Sequence, residues 1–311
     1  MLPMLFEKGS LKKRLQDAAD RAVRTGALLP IPTDYTFIED KGVLFFVRVL
    51  SALRRKDEEK YRQRRAAEAG GTVDPFLPPE KDLVVADISD THIAVLNKFN
   101  VVDRHILIVT RRFENQEMLL TLKDFEALWL CMSEYDSLGF YNGGRDAGAS
   151  QQHKHLQSVP LPLAPEGPAV PIEPLLNDVK WKDGIGTISG FSFEHAFMRL
   201  DDDTADQPYD AAKASFFIYR RMLLKLGFDA PEENGLVRQS YPYCLLVTRG
   251  WMLLVPRSHE FFEDISLNSL AFAGSFFVRD EAQLERLRSY GPMNVLRSVS
   301  VAPKVVIPSS G

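Results

Sequence analysis

The sequence predicts an α+β fold, an antiparallel β-sheet with flanking helices, extended by a C-terminal lobe. Three observations predict it. Runs rich in β-branched and aromatic residues recur with turn residues between them, as in Phe37–Leu50 and Tyr241–Val255. Helical periodicity is confined to a few stretches with clear start and stop signals. Strands, one helix and then two more strands follow, the last of them a polar run with the two-residue repeat of a strand.

The elements follow in order. Ser10–Thr25 reads as a helix, with Ser10 as its N-cap and Gly26 just past its end. Phe37–Leu50 reads as a hairpin turning at Glu39–Gly42. Arg54–Ala69 reads as a charged helix ended by Gly70 and Gly71. Acidic residues interleave its basic ones and no aromatic platform accompanies them, so it reads as a solvated face rather than an RNA-binding stripe. Asp74–Pro79 is a rigid extended segment, because proline fixes its own φ and restricts the residue before it. Leu83–Ile88 and Thr91–Asn97 are strands around a Ser89–Asp90 turn, and Val101–Thr110 is a third. Thr121 opens a helix with Asp124 as its capping partner, and Phe125, Leu128, Trp129 and Met132 form the apolar face. Leu138–Asn142 and His153–Val159 are the next strands. Pro160–Pro174 contains six prolines and reads as a linker or wrapping segment. Gly190–Leu200 is then a strand, and Asp210–Leu226 a helix stopped by Gly227. Tyr241–Val255 holds two strands around a Thr248–Gly250 turn, and Glu281–Ser289 is a last helix. The division expected is a core with an N-terminal extension over 1–160 and a C-terminal lobe over 161–311, the two sharing one sheet.

Composition narrows the function. At 311 residues, 45% hydrophobic and 26% charged, the chain can bury a sizeable core. Its net charge of −4 argues against a general nucleic-acid binder, which needs Lys and Arg to neutralise phosphates. The excess of basic residues is local: residues 1–70 carry 15 Lys and Arg against 10 Asp and Glu, mostly within Arg54–Arg65. Cys131 falls in an apolar helix pattern and Cys244 in an apolar strand pattern, so both read as buried free thiols. Without a Cys-x-x-Cys pair a cysteine zinc site is not expected. No apolar run reaches the length of a membrane span, about 18 residues, and the N-terminus lacks the pattern of a signal peptide. A cytoplasmic protein that binds neither membrane nor nucleic acid is expected.

The chemistry concentrates in residues 148–157. His153, His155 and Gln157 alternate, so on a strand they project to one face with roughly 6–7 Å between neighbours. Gly148-Ala149-Ser150 precedes them as a small-residue turn whose backbone N–H groups can cradle an anion. A nucleophilic base beside an anion cradle suits phosphoryl or nucleotidyl transfer. His155 is the expected nucleophile, since imidazole is largely neutral at pH 7 and attacks phosphorus well. His153 is expected to orient and hydrogen-bond the phosphate, and Gln157 to hold its oxygens without titrating.

The run Gly148-Ala-Ser-Gln-Gln-His-Lys-His-Leu-Gln157 closely resembles the His-x-His-x-Gln motif of the histidine-triad superfamily. Its form is similar to that of the diadenosine tetraphosphate (Ap4A) phosphorylases, also called ATP adenylyltransferases. The resemblance implies a histidine-triad-like sheet and a nucleotidylated His155. It implies that Gln157, at the place of a third histidine in hydrolase branches, favours transfer over hydrolysis. Asn142, 13 residues before His155, matches an amide that contacts phosphate, and Ser150 and Gln151 match phosphate-loop positions. Gln152 stands where proline is often found. Asn97 matches a ribose contact and Lys98 a phosphate contact, in strands resembling a nucleoside pocket. His105 there reads equally as a pocket residue or as a structural histidine closing a turn. Trp251–Arg257 and Ile265–Gly274 resemble the family's second lobe, with Cys244 where asparagine is usual. Arg257 reads as facing the polyphosphate or as a salt-bridged surface residue. His92, His195 and His259 read as structural or exposed.

The activity implied is the reversible phosphorolysis of Ap4A to ADP and ATP through an adenylyl-His155 intermediate. Its partners would be dinucleoside polyphosphates, ATP, ADP and inorganic phosphate, with a divalent cation such as Mg²⁺ on the polyphosphate and no protein ligand set for it. A monomer or a homodimer is expected. Two rivals stand beside it. A hexose-1-phosphate uridylyltransferase-like enzyme shares His-x-His-x-Gln, but typically with His-Pro-His and cysteine metal ligands, where this chain has His153-Lys154-His155. A non-catalytic nucleotide-binding protein would keep the pocket without turnover.

Overall fold

A computed structural model describes residues 4–50, 74–201, 206–228 and 237–303. The charged helix expected over Arg54–Ala69 lies outside the described residues. The chain starts with helix α1 (Leu11–Thr25), ended by Gly26 in the left-handed conformation that its missing Cβ permits. Ser10 precedes the helix, but its side chain does not cap it. Its hydroxyl donates to the Glu7 carbonyl instead, and the Glu134 carboxylate accepts from the N–H groups of Gly9 and Leu11.

Strands β1 (Thr33–Asp40) and β2 (Val43–Leu50) form the expected hairpin through a Lys41–Gly42 turn. Then come β3 (Val84–Asp87), β4 (His92–Leu96) and β5 (Ile106–Thr110). Helix α2 (Leu122–Met132) opens with the capping box of Thr121 and Asp124. β6 (Ser137–Gly143) and β7 (His155–Pro160) follow. The second half adds β8 (Val179–Lys182), β9 (Ile185–Ile188), β10 (Ala196–Arg199), helix α3 (Pro208–Lys225), β11 (Tyr243–Val247) and β12 (Trp251–Pro256). It ends with the short pair β13 (Phe261–Phe262) and β14 (Ile265–Ser266), helix α4 (Ser269–Phe272), β15 (Ser275–Val278), α5 (Glu281–Tyr290) and α6 (Pro292–Ser298).

Ten strands make one antiparallel sheet in the order β3-β4-β5-β7-β6-β11-β12-β10-β9-β8. The halves meet where β6 pairs with β11, Asn142 opposite Cys244. A second, three-stranded sheet joins them again, because β15 adds parallel to β2 of the first hairpin. Side chains alternate across the large sheet as the pleat demands. Leu156, Tyr141, Leu245 and Leu254 enter the core beneath α1, α2 and α3, while Phe140, Leu246, Leu253 and Val255 enter the core beneath the small sheet and the C-terminal helices. At β4, β5 and β7 none of the described helices covers the second face. Val95, Leu107 and Val109 form a small apolar cluster there with Phe76 from the strap 74–79. That uncovered stretch of sheet is the floor of a cleft.

Candidate active site

The cleft has a volume of about 1420 Å³. Its floor is β7, where His155 and Gln157 alternate with Leu156, which points into the core. The expected alternation holds for these two residues but not for His153. β7 begins at His155, and His153 sits two residues before it in a single bridge to Asn115. The His153 ring does not line the cleft. Its Nδ1 is 2.7 Å from Asp74 Oδ2 and its Nε2 is 2.7 Å from the Thr110 carbonyl. Both ring nitrogens, expected to serve the phosphate, are thus in contact with protein groups.

His155 is held on three sides. Its backbone N–H donates to Gln116 Oε1 at 2.8 Å, and its carbonyl accepts from Gln116 Nε2 at 3.2 Å. Its Nδ1 lies 2.8 Å from the His153 carbonyl, an acceptor, so Nδ1 carries the proton and Nε2 keeps its lone pair. Burial pushes the His155 pKa down to about 4, against the opposing hydrogen bond to His153. The imidazole is thus neutral near pH 7.

Gln157 Oε1 is 2.9 Å from His105 Nε2. His105 Nδ1 is 3.1 Å from Asn97 Nδ2. An amide N–H can only donate, so Asn97 donates to His105 Nδ1, and His105 Nε2–H donates to Gln157 Oε1. This relay leaves the Gln157 NH₂ as the group available to the cleft. Burial keeps His105 neutral, with its pKa lowered to about 4. His105 is thereby a cleft residue, and Asn97, which also lines the cleft, orients it.

The walls carry the remaining expected residues. Gly148, Ala149, Ser150 and Gln151 line the cleft beside His155. Gly148 has φ +93°, and a Cβ there would sit 2.9 Å from the Leu267 carbonyl, so glycine is required. Asn142 lines the cleft too, and its Oδ1 accepts from the Ser269 N–H at 2.9 Å and from the Ser269 hydroxyl at 2.6 Å. Like Gln157, it keeps its NH₂ for the cleft. Lys98 lines the cleft with its ammonium 2.6 Å from Glu80 Oε2.

Three supports were missed in the sequence. Gln116 braces both His155 and the Asn142 carbonyl. Asp74 grips His153. Arg257 faces neither polyphosphate nor a carboxylate. It is buried, and its guanidinium donates to the carbonyls of Val299, Ala147, Leu267 and His259. This ties the residue before Gly148 to the C-terminal segments. Behind the motif, Lys154 is fully buried, 2.8 Å from Asp124 and 3.2 Å from Glu114. Burial alone would raise the Asp124 pKa, but Lys154 and His92 outweigh it and hold the carboxyl well below the usual range. Both cysteines are buried thiols, as expected.

Fold and site together are those of a nucleotidyl-transferring histidine-motif protein, and comparison identifies the family. Residues 2–178 match the family model described as "Ap4A phosphorylase N-terminal domain". Residues 189–302 match that described as "ATP adenylyltransferase C-terminal domain". The chain belongs to the Ap4A phosphorylase family. It is 27% identical over 310 residues to diadenosine 5′,5‴-P1,P4-tetraphosphate phosphorylase 2 of Saccharomyces cerevisiae, covering 89% of this chain and 90% of that protein. It is 26% identical over 242 residues to protein APA1 of the same yeast, covering 69% and 71%. The crystal structure of yeast Ap4A phosphorylase Apa2 in complex with Ap4A superposes with a TM-score of 0.75 at 23% identity, covering 97% of this chain and 99% of that one. The fold is therefore shared along nearly the whole chain.

Proposed function

We propose that the protein catalyses the reversible phosphorolysis of Ap4A to ADP and ATP. The observation that carries this reading is the neutral His155, Nδ1–H held by the His153 carbonyl and Nε2 left with its lone pair beside the Gly148–Gln151 loop. In the first half-reaction His155 Nε2 attacks an α-phosphorus of Ap4A. A P–N bond forms, the bond to the bridging oxygen breaks, and ATP departs with that oxygen. In the second, an oxygen of inorganic phosphate attacks the same phosphorus, the P–N bond breaks, and ADP leaves. The NH₂ groups of Asn142 and Gln157, with the backbone N–H groups of Ser150 and Gln151, would receive the charge that builds on the phosphoryl oxygens, whereas those of Gly148 and Ala149 already donate to the Arg145 and Gly144 carbonyls. Among the described residues no group of three His, Cys, Asp or Glu side chains is set to hold a metal. Any divalent cation is proposed to arrive on the polyphosphate as part of the substrate.

No described helix is long and apolar enough to cross a membrane. With ATP, ADP and phosphate as reactants, a cytoplasmic location fits the proposal. The test is a product profile from Ap4A with and without phosphate. ADP plus ATP, formed only with phosphate, is expected; AMP plus ATP without phosphate would make the protein a hydrolase.

A further inference from the structure

One carboxyl–imidazole pair beside His155, Asp74 and His153, has no part in the steps above. Asp74 begins the strap 74–79, and its side chain is 23% exposed against 1% for that of His153. Asp74 Oδ1 accepts the Phe76 N–H at 2.9 Å, and Oδ2 faces His153 Nδ1 at 2.7 Å. Across the ring, His153 Nε2 faces the Thr110 carbonyl at 2.7 Å. The Thr110 hydroxyl is also near, at 2.9 Å, and its proton has the Arg112 carbonyl at 2.9 Å and the Lys154 carbonyl at 3.3 Å as further acceptors. A carboxylate and a peptide carbonyl only accept hydrogen bonds. A neutral imidazole has one N–H and one lone pair, so one of these short contacts would set lone pair against lone pair. Both are satisfied when both ring nitrogens carry protons.

We propose that Asp74 and His153 form a carboxylate–imidazolium pair that positions the nucleophile: the pair pins the His153 peptide, whose carbonyl holds His155 Nδ1–H and so aims Nε2 into the cleft. This rests on the reading of His155 as the nucleophile. His153 and Asp74 are positioning residues, since neither has been placed against substrate. The surroundings suit such a pair. The partly exposed Asp74 keeps contact with water, which lowers the desolvation cost of the ion pair. Phe76, Phe113 and the His155 ring complete the enclosure, with the Phe76 ring centroid 5.6 Å from those of both His153 and His155. Of the other charged groups by this strand, Lys154 turns to Asp124 and Glu114, and Asp124 also takes His92. His105 is neutral and bonded to Gln157. A fixed cation at His153 also opposes a proton on His155, in the same direction as burial.

The test reads the proton count directly on the substrate-free full chain. With ¹⁵N-histidine labelling at pH 7, and His153→Ala to assign the signals, both His153 ring nitrogens are expected to be protonated. In Asp74→Asn the charge is gone while shape and one hydrogen bond remain, and Nδ1 is expected to lose its proton. In that variant kcat for Ap4A is expected to fall about 100-fold through misplacement, with KM changed less than about threefold. A wild-type His153 ring with one unprotonated nitrogen would overturn the proposal, as would an Asp74→Asn enzyme with wild-type kcat. If a thermal melt shows that Asp74→Asn does not fold, the wild-type spectrum decides alone. Absence of Ap4A turnover in the wild type would sink the functional reading and leave the spectrum to decide this one.

Discussion

At the scale of single residues, the cleft separates groups that titrate from groups that only donate. Gln157 receives the His105 N–H through its oxygen and offers an NH₂ that stays neutral at any working pH. Gln157→His is expected to lower the total rate and to raise the ratio of AMP to ADP formed at fixed phosphate, because an imidazole there can protonate a leaving group or activate water. Both products falling together at a constant ratio would leave Gln157 as a positioning group only. His155, with a pKa lowered to about 4 by burial, stays neutral well below the usual histidine range. The acid limb of kcat/KM in the free enzyme is therefore expected near pH 4 to 5, and a limb centred near 6.5 would contradict the buried neutral base. Much of this was legible in the sequence. Alternation alone put His155 and Gln157 on one face, and the glycine at 148 marked the turn. What escaped was set by contacts remote in sequence. Nothing in the strand pattern shows that His153 is claimed by Asp74, 79 residues earlier, or that His155 is braced by Gln116, 39 residues earlier.

At the scale of elements, the motif strand is fastened to helix α2 from behind. Lys154 points away from the cleft into Asp124, which also caps the helix at Thr121 and bonds His92 on β4. Three elements therefore meet on one carboxylate. Asp124→Ala removes one partner of a buried ion pair and a helix cap together. It is expected to cost about 3–5 kcal/mol in a urea melt, and a loss below about 1 kcal/mol would show that Lys154 finds another partner. The capping box itself was readable, because Thr121 and Asp124 stand at the right spacing. The strands β8 and β9 were not. Val179–Lys182 is largely exposed, so it lacks the apolar alternation that marks a half-buried strand. Gly190–Leu200 reads as one strand, but only Ala196–Arg199 pairs. The stretch before it carries His195, whose Nε2 takes the Ile188 N–H at 2.7 Å in place of strand pairing.

At the scale of the whole molecule, the two matched segments are interlocked rather than strung together. They share the β6–β11 seam, the parallel β2–β15 pair and the Arg257 guanidinium. Residues 2–178 and 189–302 expressed separately are not expected to fold alone, whereas the full chain should unfold in one transition; two independent transitions by calorimetry would contradict this. Arg257→Lys is expected to destabilise by about 3 kcal/mol, since an ammonium cannot satisfy carbonyls that converge on a planar fork. Stability should also fall with acid. His105, His155 and His195 are all pushed down to about 4 by burial, so above about pH 6.5 they are neutral in both folded and unfolded chains. As pH falls from about 6.5 towards 4, the unfolded chain takes up protons that the native state refuses. Each group then removes about 1.4 kcal/mol per pH unit. Thermal melts at pH 7.5 and 4.5 check this, with the lower Tm expected at 4.5. The shared sheet could be anticipated from sequence, since neither half shows a closed set of strands. The interlock could not, because β15 returns to β2 across more than 200 residues.

The central claim is a covalent adenylyl group on His155. Acid-sensitive phosphoramidates survive alkaline quenching, so the protein is incubated without phosphate with Ap4A carrying ³²P at its α-phosphorus, quenched in alkali, digested and mapped. Label on the peptide carrying His155, absent in His155→Ala and released as ADP on addition of phosphate, is the expected result. A wild-type protein that binds the nucleotide but takes up no label, or label that persists in His155→Ala, would contradict it.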